Sequence, residues 1–123
     1  MKIISTTNAP AAIGPYSQAV VHNGFLFISG QIPVDPATGL VVEGGIGEQT
    51  NRVCMNIEAI LKEAGTSFDN VLKTSCFIKN MNDFATFNGI YKDYFTSCPA
   101  RACVEVSRLP KDVLVEIEVI AAV

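Results

Sequence analysis

The apolar residues of this chain change period along the sequence, and this change restricts the possible folds more than any other feature. Between residues 47 and 64 they recur at threes and fours, as on one face of an amphipathic helix. The residues with this spacing begin at Ile46, directly before the stretch, and include one threonine; they are Ile46, Thr50, Val53, Ile57, Ile60, Leu61 and Ala64. Gly65 follows directly and suits the end of a helix. The sequence therefore predicts a helix that ends at Ala64.

A second set of apolar residues with helical spacing follows Asn82 and Asp83, either of which can cap a helix. Its members are Phe84, Phe87, Tyr91, Tyr94 and Phe95. We interpret this aromatic stripe as the buried face of a second helix, because a stripe at this spacing is typical of a hydrophobic core.

The segments outside these two helices have features of β-strands. Residues 2–5 predict a short strand, and residues 71–79 alternate in part and predict a longer one. The apolar runs at 17–21 and 25–29 flank His22-Asn23-Gly24. Asn-Gly between two apolar runs is the strongest short-range signal for a β-hairpin.

Residues 99–118 predict two more strands, joined by a short polar connection at residues 109–112. If these strands pair as an antiparallel hairpin, their apolar faces must coincide, because a slip of one residue turns every side chain over. Cys103 opposite Glu116 is then an allowed register. Such a hairpin gathers five side chains on one face of the sheet, namely Arg101, Cys103, Glu105, Glu116 and Glu118.

The order of these elements predicts an α+β domain in two layers, with one mixed sheet and both helices on one of its faces. The 123 residues fit a single domain over residues 1–123. Two helices leave the other face of the sheet open to another copy of the chain. The hydrophobic content of 49% against 17% charged residues agrees with apolar surface that is hidden in an oligomer.

Composition argues against several classes of protein. The net charge of −3 and the pI near 5.0 argue against nucleic-acid binding, which needs a basic patch. No run reaches the 18 or so apolar residues of a membrane span, and the polar N-terminus argues against a secretory signal. Four cysteines without a Cys-x-x-Cys spacing, beside one histidine, suit neither zinc nor a disulfide framework. We expect a cytoplasmic protein with free thiols and no metal.

Arg101 is a candidate anion-binding residue. It follows Pro99, whose fixed φ makes the start of the strand rigid. The forked guanidinium group matches the two oxygens of a carboxylate. The alternative is a structural ion pair with Glu105 or Glu118 across the sheet, and the sequence does not distinguish the two.

Glu116 and Cys103 are the other candidates in this region. Glu116 lies among apolar residues, and loss of solvation would raise its pKa and suit it to proton transfer. Its alternative is a solvated position on an outer face. Cys103 is a possible nucleophile, but the single histidine, His22, is remote and lies in a turn. A small, partly buried thiol is the simpler interpretation of Cys103.

Two loops place polar groups beside glycines, which allow backbone N–H groups to approach an anion. One contains Tyr16, and the other contains Ser29 and Gly30. Ordinary turn chemistry explains both loops equally well. The glycine-rich residues 43–47 match neither a P-loop nor a dinucleotide-binding fingerprint, and they predict a flexible approach to the first helix.

Taken together, these segments resemble the Rid (YjgF-like) family of small imine deaminases. The matching segments are AIGPYSQ at 12–18, SGQIP at 29–33, NDF at 82–84, PARACVEVSRLPKD at 99–112 and EIE at 116–118. The resemblance covers essentially the whole chain. It implies the chorismate-mutase-like α+β fold, assembled as a homotrimer whose sheets form a central barrel with clefts between subunits.

The resemblance also implies an activity. It is the hydrolysis, without a cofactor, of reactive intermediates such as 2-aminoacrylate, 2-iminopropanoate and 2-iminobutanoate to 2-keto acids and ammonia. Arg101 would bind the substrate carboxylate, while Glu116 and the backbone carbonyl of Cys103 would hold the attacking water. The pocket would be lined by Tyr16, Ser29, Gly30 and Asn88.

A second function fits the same resemblance. A non-catalytic module of this fold would bind small carboxylates such as 2-keto acids and regulate or chaperone a partner protein. Some members of the family are linked to ribonuclease activity or to inhibition of translation. The acidic pI and the lack of a basic stripe argue against contact with RNA for this chain.

Overall fold

A computed structural model describes all residues from 1 to 123 as one six-stranded sheet with two α-helices. The strands are β1 (Lys2–Ile4), β2 (Ala19–His22), β3 (Phe25–Gln31), β4 (Val71–Ile78), β5 (Ala100–Glu105) and β6 (Val115–Ala122). The helices are α1 (Ile46–Glu63) and α2 (Phe84–Tyr94), and short 3₁₀ turns occupy residues 68–70, 81–83 and 110–112. No helix combines the length and the apolar run that crossing a membrane requires.

The strand order across the sheet is β1-β2-β3-β6-β4-β5. Neighbouring strands are antiparallel except β4 and β5, which are parallel, so the predicted mixed sheet is confirmed. Side chains of both helices join one face of the sheet in a single hydrophobic core. The two-layer α+β architecture is therefore confirmed as well.

Local sequence signals determine the ends of these elements. Asn23 and Gly24 have φ values of 51° and 80°, the left-handed conformation that a two-residue turn between β2 and β3 needs. The first turn of α1 is closed by the Glu48 carboxylate, whose Oε2 accepts a hydrogen bond of 2.9 Å from the Gly45 N–H. Gly65, with φ of 81°, follows the C-terminus of α1 as the sequence predicts.

The alternation of β6 defines the two faces of the sheet. Val115, Ile117, Val119 and Ala121 are at most 2% exposed and face the helices. The intervening residues of β6 are more accessible and lie on the opposite face, which we call the open face because neither helix packs on it. Directly paired residues of neighbouring strands point to the same side, so the pairing registers assign the other strands to these faces.

The predicted hairpin between the last two strands is wrong, because β4 lies between them. Residues 106–114 form a connection long enough to pass the end of β4, and the Lys79 N–H donates to the Leu114 carbonyl there. Burial explains the order. The regularly apolar β6 occupies the middle of the sheet, whereas β5, with small and charged residues, lies at an edge.

This strand order also corrects the expected faces. Arg101 pairs with the buried Thr74, and Cys103 pairs with the buried Cys76. The side chains of Arg101 and Cys103 therefore lie on the face of the sheet that the helices cover, which we call the helix face. Glu116 pairs with Phe77 on the open face. The five polar side chains therefore do not share one face, and Cys103 is not opposite Glu116.

The open face carries apolar side chains that the single chain leaves accessible to solvent. Residues on it that are at least 43% exposed are Ile3, Phe25, Phe27 and Val104. Large apolar side chains that remain exposed on an uncovered sheet face agree with an interaction surface.

Candidate functional site

Arg101 lies on the edge strand β5 and its side chain extends over α2. The Cζ atom is 4.7 Å from the ring centroid of Tyr91 and 5.4 Å from that of Phe84. The Nη1 group donates a hydrogen bond of 2.7 Å to Asn88 Oδ1. Cation–π contacts and one hydrogen bond thus restrict the orientation of the guanidinium group.

The ring beneath the guanidinium group is itself held in place. Tyr91 stacks on Phe95 with 4.2 Å between ring centroids. Its hydroxyl lies 2.8 Å from Thr74 Oγ1, and both side chains are buried. Because β4 supplies Thr74, the platform for Arg101 is connected to the sheet as well as to α2.

No carboxylate of the chain pairs with Arg101. The two salt bridges are Glu58–Lys62 and Lys79–Asp112. The Glu105 Oε1 atom accepts a hydrogen bond of 2.8 Å from the Met81 N–H, and Glu118 lies on the other face of the sheet. The structural ion pair with Glu105 or Glu118 is therefore wrong, and the exposed guanidinium charge is available to an anion.

Glu116 lies on the open face, against the irregular part of β3. The register between β3 and β6 shifts between Ile28 and Gln31, and Gly30 lies within this bulge. A Cβ atom on Gly30 would come within 2.9 Å of the Cδ atom of Glu116. The carboxylate therefore occupies the space that any side chain at position 30 would need.

The surroundings of Glu116 disfavour its negative charge. Partial burial raises the pKa of Glu116, and the nearby carboxylate of Glu118 raises it further. A carboxyl group with a raised pKa can exchange a proton closer to neutral pH.

Tyr16 and Ser29 lie close to Gly30. Tyr16 is half exposed and lines the same groove as Gly30, while Tyr16 and Ser29 line an adjoining depression. The Ser29 hydroxyl donates a hydrogen bond of 2.6 Å to the Ser17 carbonyl. Ser29 therefore holds the segment that carries Tyr16.

Cys103 contributes a poorly ionised thiol. Partial burial raises the pKa of Cys103, and the charge of Arg101 opposes this effect only in part. Its partner in the next strand, Cys76, has a pKa raised to about 12, mainly by burial. Neither thiol is adapted to act as a nucleophile. No group of three potential metal ligands is clustered in the structure.

The predicted site residues thus form two groups. Tyr16, Ser29, Gly30 and Glu116 lie together on or beside the open face. Arg101, Asn88 and Cys103 lie on the helix face near the edge strand. A single chain does not bring the two groups together.

Phe84 and Tyr91 were not predicted from the sequence as neighbours of Arg101. Both were predicted to be core residues, although their spacing from Asn88 indicates a shared helix face. Residues 84, 88 and 91 are spaced by four and three, and therefore lie on one face of α2.

Known proteins resemble this chain over nearly its whole length. The sequence profile described as Endoribonuclease L-PSP matches residues 6–123. A RutC family protein of Pyrococcus horikoshii is 58% identical, over 98% of this chain and 96% of that protein. A mouse protein named 2-iminobutanoate/2-iminopropanoate deaminase is 53% identical, over 98% of this chain and 90% of that protein.

The solved structures include a similar protein with a bound small molecule. The crystal structure of E. coli TdcF with bound serine matches with a TM-score of 0.95 and 46% identity. The match covers 100% of this chain and 99% of that chain. The arrangement of strands and helices described above is therefore shared with TdcF.

The raised pKa of Glu116 predicts a pH-dependent gain in stability for Glu116→Gln. Burial opposes ionisation, so the wild type loses stability as pH rises through the raised pKa, and the neutral amide avoids this loss. We expect the variant to have the larger free energy of unfolding in urea near pH 8, and the difference to shrink towards pH 4. Glu63→Gln, at an exposed position of α1, is the control for loss of one surface charge. A Glu116→Gln variant less stable than the wild type near pH 8 would contradict this expectation.

Proposed function

The chain belongs to the Endoribonuclease L-PSP family, also called the YjgF/Rid family, and we propose that it is an imine deaminase. The proposed substrates are 2-aminoacrylate with its tautomer 2-iminopropanoate, and 2-iminobutanoate. The products are the 2-keto acid and ammonia. The observation that carries this proposal is the unpaired guanidinium group of Arg101 on its aromatic platform, because each substrate has one small carboxylate to bind.

Arg101 is the proposed carboxylate-binding residue. A planar guanidinium group offers two parallel N–H donors to a carboxylate, and its contacts with Tyr91 and Asn88 limit its rotation before substrate arrives. The bound serine of TdcF, an amino acid with a carboxylate, supports a ligand of this class. The mouse relative named as a deaminase supports the reaction.

Glu116 and the backbone carbonyl of Cys103 are the proposed partners of the attacking water. The water adds to the carbon of the C=N bond, and the nitrogen leaves as ammonia once it has gained protons. A carboxyl group with a raised pKa, such as Glu116, can take a proton from the water and return it to the nitrogen. Because the imine carbon is already electrophilic, correct placement of water and substrate supplies much of the acceleration.

The proposed assembly is a homotrimer with sites between subunits. Arg101, Asn88 and Cys103 of one subunit would then face Tyr16, Ser29, Gly30 and Glu116 of the partner subunit. Two observations support this arrangement, namely the accessible apolar residues of the open face and the unpaired edge of β5. The four free cysteines agree with a cytoplasmic location.

The carboxylate-binding role predicts a large loss of activity for Arg101→Ala. We expect kcat/KM to fall about 100-fold, the order expected when a bidentate charge-assisted pair is lost. Arg101→Lys keeps the charge without the fork and is expected to retain an intermediate activity. The assay generates 2-iminobutanoate with a threonine dehydratase and follows release of the 2-keto acid above the rate in buffer.

Arg108→Ala, which removes another exposed arginine of the same region, is the matched control and is expected to keep the wild-type rate. A wild-type protein that gives no acceleration over buffer would show the deaminase proposal to be wrong. Binding of 2-ketobutyrate by that inactive protein would then favour the carboxylate-binding module.

The contact between Gly30 and Glu116 predicts a loss of activity for Gly30→Ala. The added methyl group must displace the Glu116 carboxylate, whose flexible side chain can move without disrupting the backbone. We expect kcat to fall about tenfold or more, while the melting temperature changes little. Gly47→Ala in α1 is the matched control, because its new methyl group meets no atom within 4 Å beyond the adjoining residues and the backbone of its own helix, and alanine favours a helix. Equal activities of the two variants would show that Glu116 has no role in the reaction.

A further inference from the structure

Gln18 is a buried polar residue outside the proposed catalytic set, and its side chain bonds to a single loop. Only 4% of its surface is exposed. Its Nε2 group donates to the carbonyls of Pro10 at 2.8 Å and Thr6 at 3.0 Å, with a longer contact of 3.3 Å to Ala9. Its Oε1 atom accepts a hydrogen bond of 2.7 Å from the Thr6 N–H. Both ends of the amide are therefore used.

The loop that receives these hydrogen bonds has no other regular support. Residues 5–18 contain neither helix nor strand, so no ladder of backbone hydrogen bonds holds them. A buried amide is stable only when its polar atoms are paired, and here every pairing is with backbone of residues 6–10. The side chain of Gln18 thus replaces the missing ladder.

Tyr16 lies between two anchored parts of the chain. Before Tyr16 in the chain, residues 6–10 are held by the side chain of Gln18. After Tyr16, the Ser29 hydroxyl donates to the Ser17 carbonyl, and the Ser29 N–H donates to the Gln18 carbonyl at 2.9 Å. The Tyr16 N–H itself donates to the Gly14 carbonyl at 2.8 Å. Ser17 and Gln18, which directly follow Tyr16, therefore connect it to the start of the loop and to β3.

We propose that Gln18 is a positioning residue, which holds the ring of Tyr16 at the mouth of the groove that Tyr16, Gly30 and Gln31 line. Loss of its amide leaves the backbone of residues 6–10 without these partners, and the loop gains conformations that move the ring away. The consequence for catalysis rests on the proposed deaminase function. The consequence for the position of Tyr16 does not.

The position of Tyr16 can be measured independently of activity by ¹⁹F NMR on the full chain labelled with 3-fluorotyrosine. The chain has three tyrosines, so three resonances are expected, and Tyr16→Phe assigns one of them. In Gln18→Met, which keeps the length of the side chain, the Tyr16 resonance should move towards the value for unfolded chain and sharpen. The resonances of Tyr91 and Tyr94 should not move.

A matched control uses Tyr94, which lies on α2 and outside the loop that Gln18 holds. The Tyr94 hydroxyl donates to Asn51 Oδ1, so Asn51→Ala should move the Tyr94 resonance and leave that of Tyr16 in place. If all three resonances of Gln18→Met collapse to the value for unfolded chain, the variant does not fold, and Gln18→Glu is used instead. That variant has the same shape and keeps the acceptor for the Thr6 N–H, but its carboxylate cannot donate to the loop carbonyls.

The effect on activity is tested by a double-mutant cycle with Tyr16→Ala. If Gln18 acts through Tyr16, Gln18→Met should lower kcat/KM about tenfold in the wild-type background and less than about twofold in the Tyr16→Ala background. An unmoved Tyr16 resonance, or an equal loss of activity in both backgrounds, would overturn the proposal. A wild type without deaminase activity would overturn the proposed function instead, and the ¹⁹F spectra would still decide the role of Gln18.

Discussion

The position of β4 between β5 and β6 is the constraint on which the rest of the structure depends. The alternation of β6 is strict, because Ile117 and Val119 must lie in the core, and a slip of one residue would expose them. With β6 in the middle of the sheet, β5 is left to pair in parallel with the far side of β4. Arg101 therefore lies over α2, and Glu116 lies on the opposite face.

This separation explains why each half of the candidate site has a different electrostatic character. Arg101 is a cation without a carboxylate partner, held by aromatic rings and one amide. Glu116 is a carboxyl group whose pKa is raised by burial and by Glu118. The position of Glu116 is unfavourable for a residue whose only role is stability, because its partly buried carboxylate has no cationic partner. Both arrangements suit a reaction that needs an anion held and a proton transferred.

Much of the fold was predictable from local pattern. The period of the apolar residues predicted both helices, Asn23-Gly24 predicted the first hairpin, and Gly65 predicted the end of α1. The neighbours of β5 were not predictable in this way, because the alternation of apolar and polar residues shows which side chains share a face but not which strands are adjacent. The order of the strands depends instead on which strand buries the most apolar surface. The hydrogen bonds of Gln18 were equally hidden, since they join residues of an irregular loop that no periodicity describes.

The central claim is that Arg101 and Glu116 act together only when they come from different copies of the chain. Equal amounts of Arg101→Ala and Glu116→Gln protein, each expected to have little activity alone, can be unfolded together, refolded and assayed for 2-iminobutanoate hydrolysis. If neighbouring subunits share each site, random assembly leaves about a quarter of the sites with both residues intact, and the mixture regains about a quarter of wild-type activity. A mixture no more active than its two components would contradict the account.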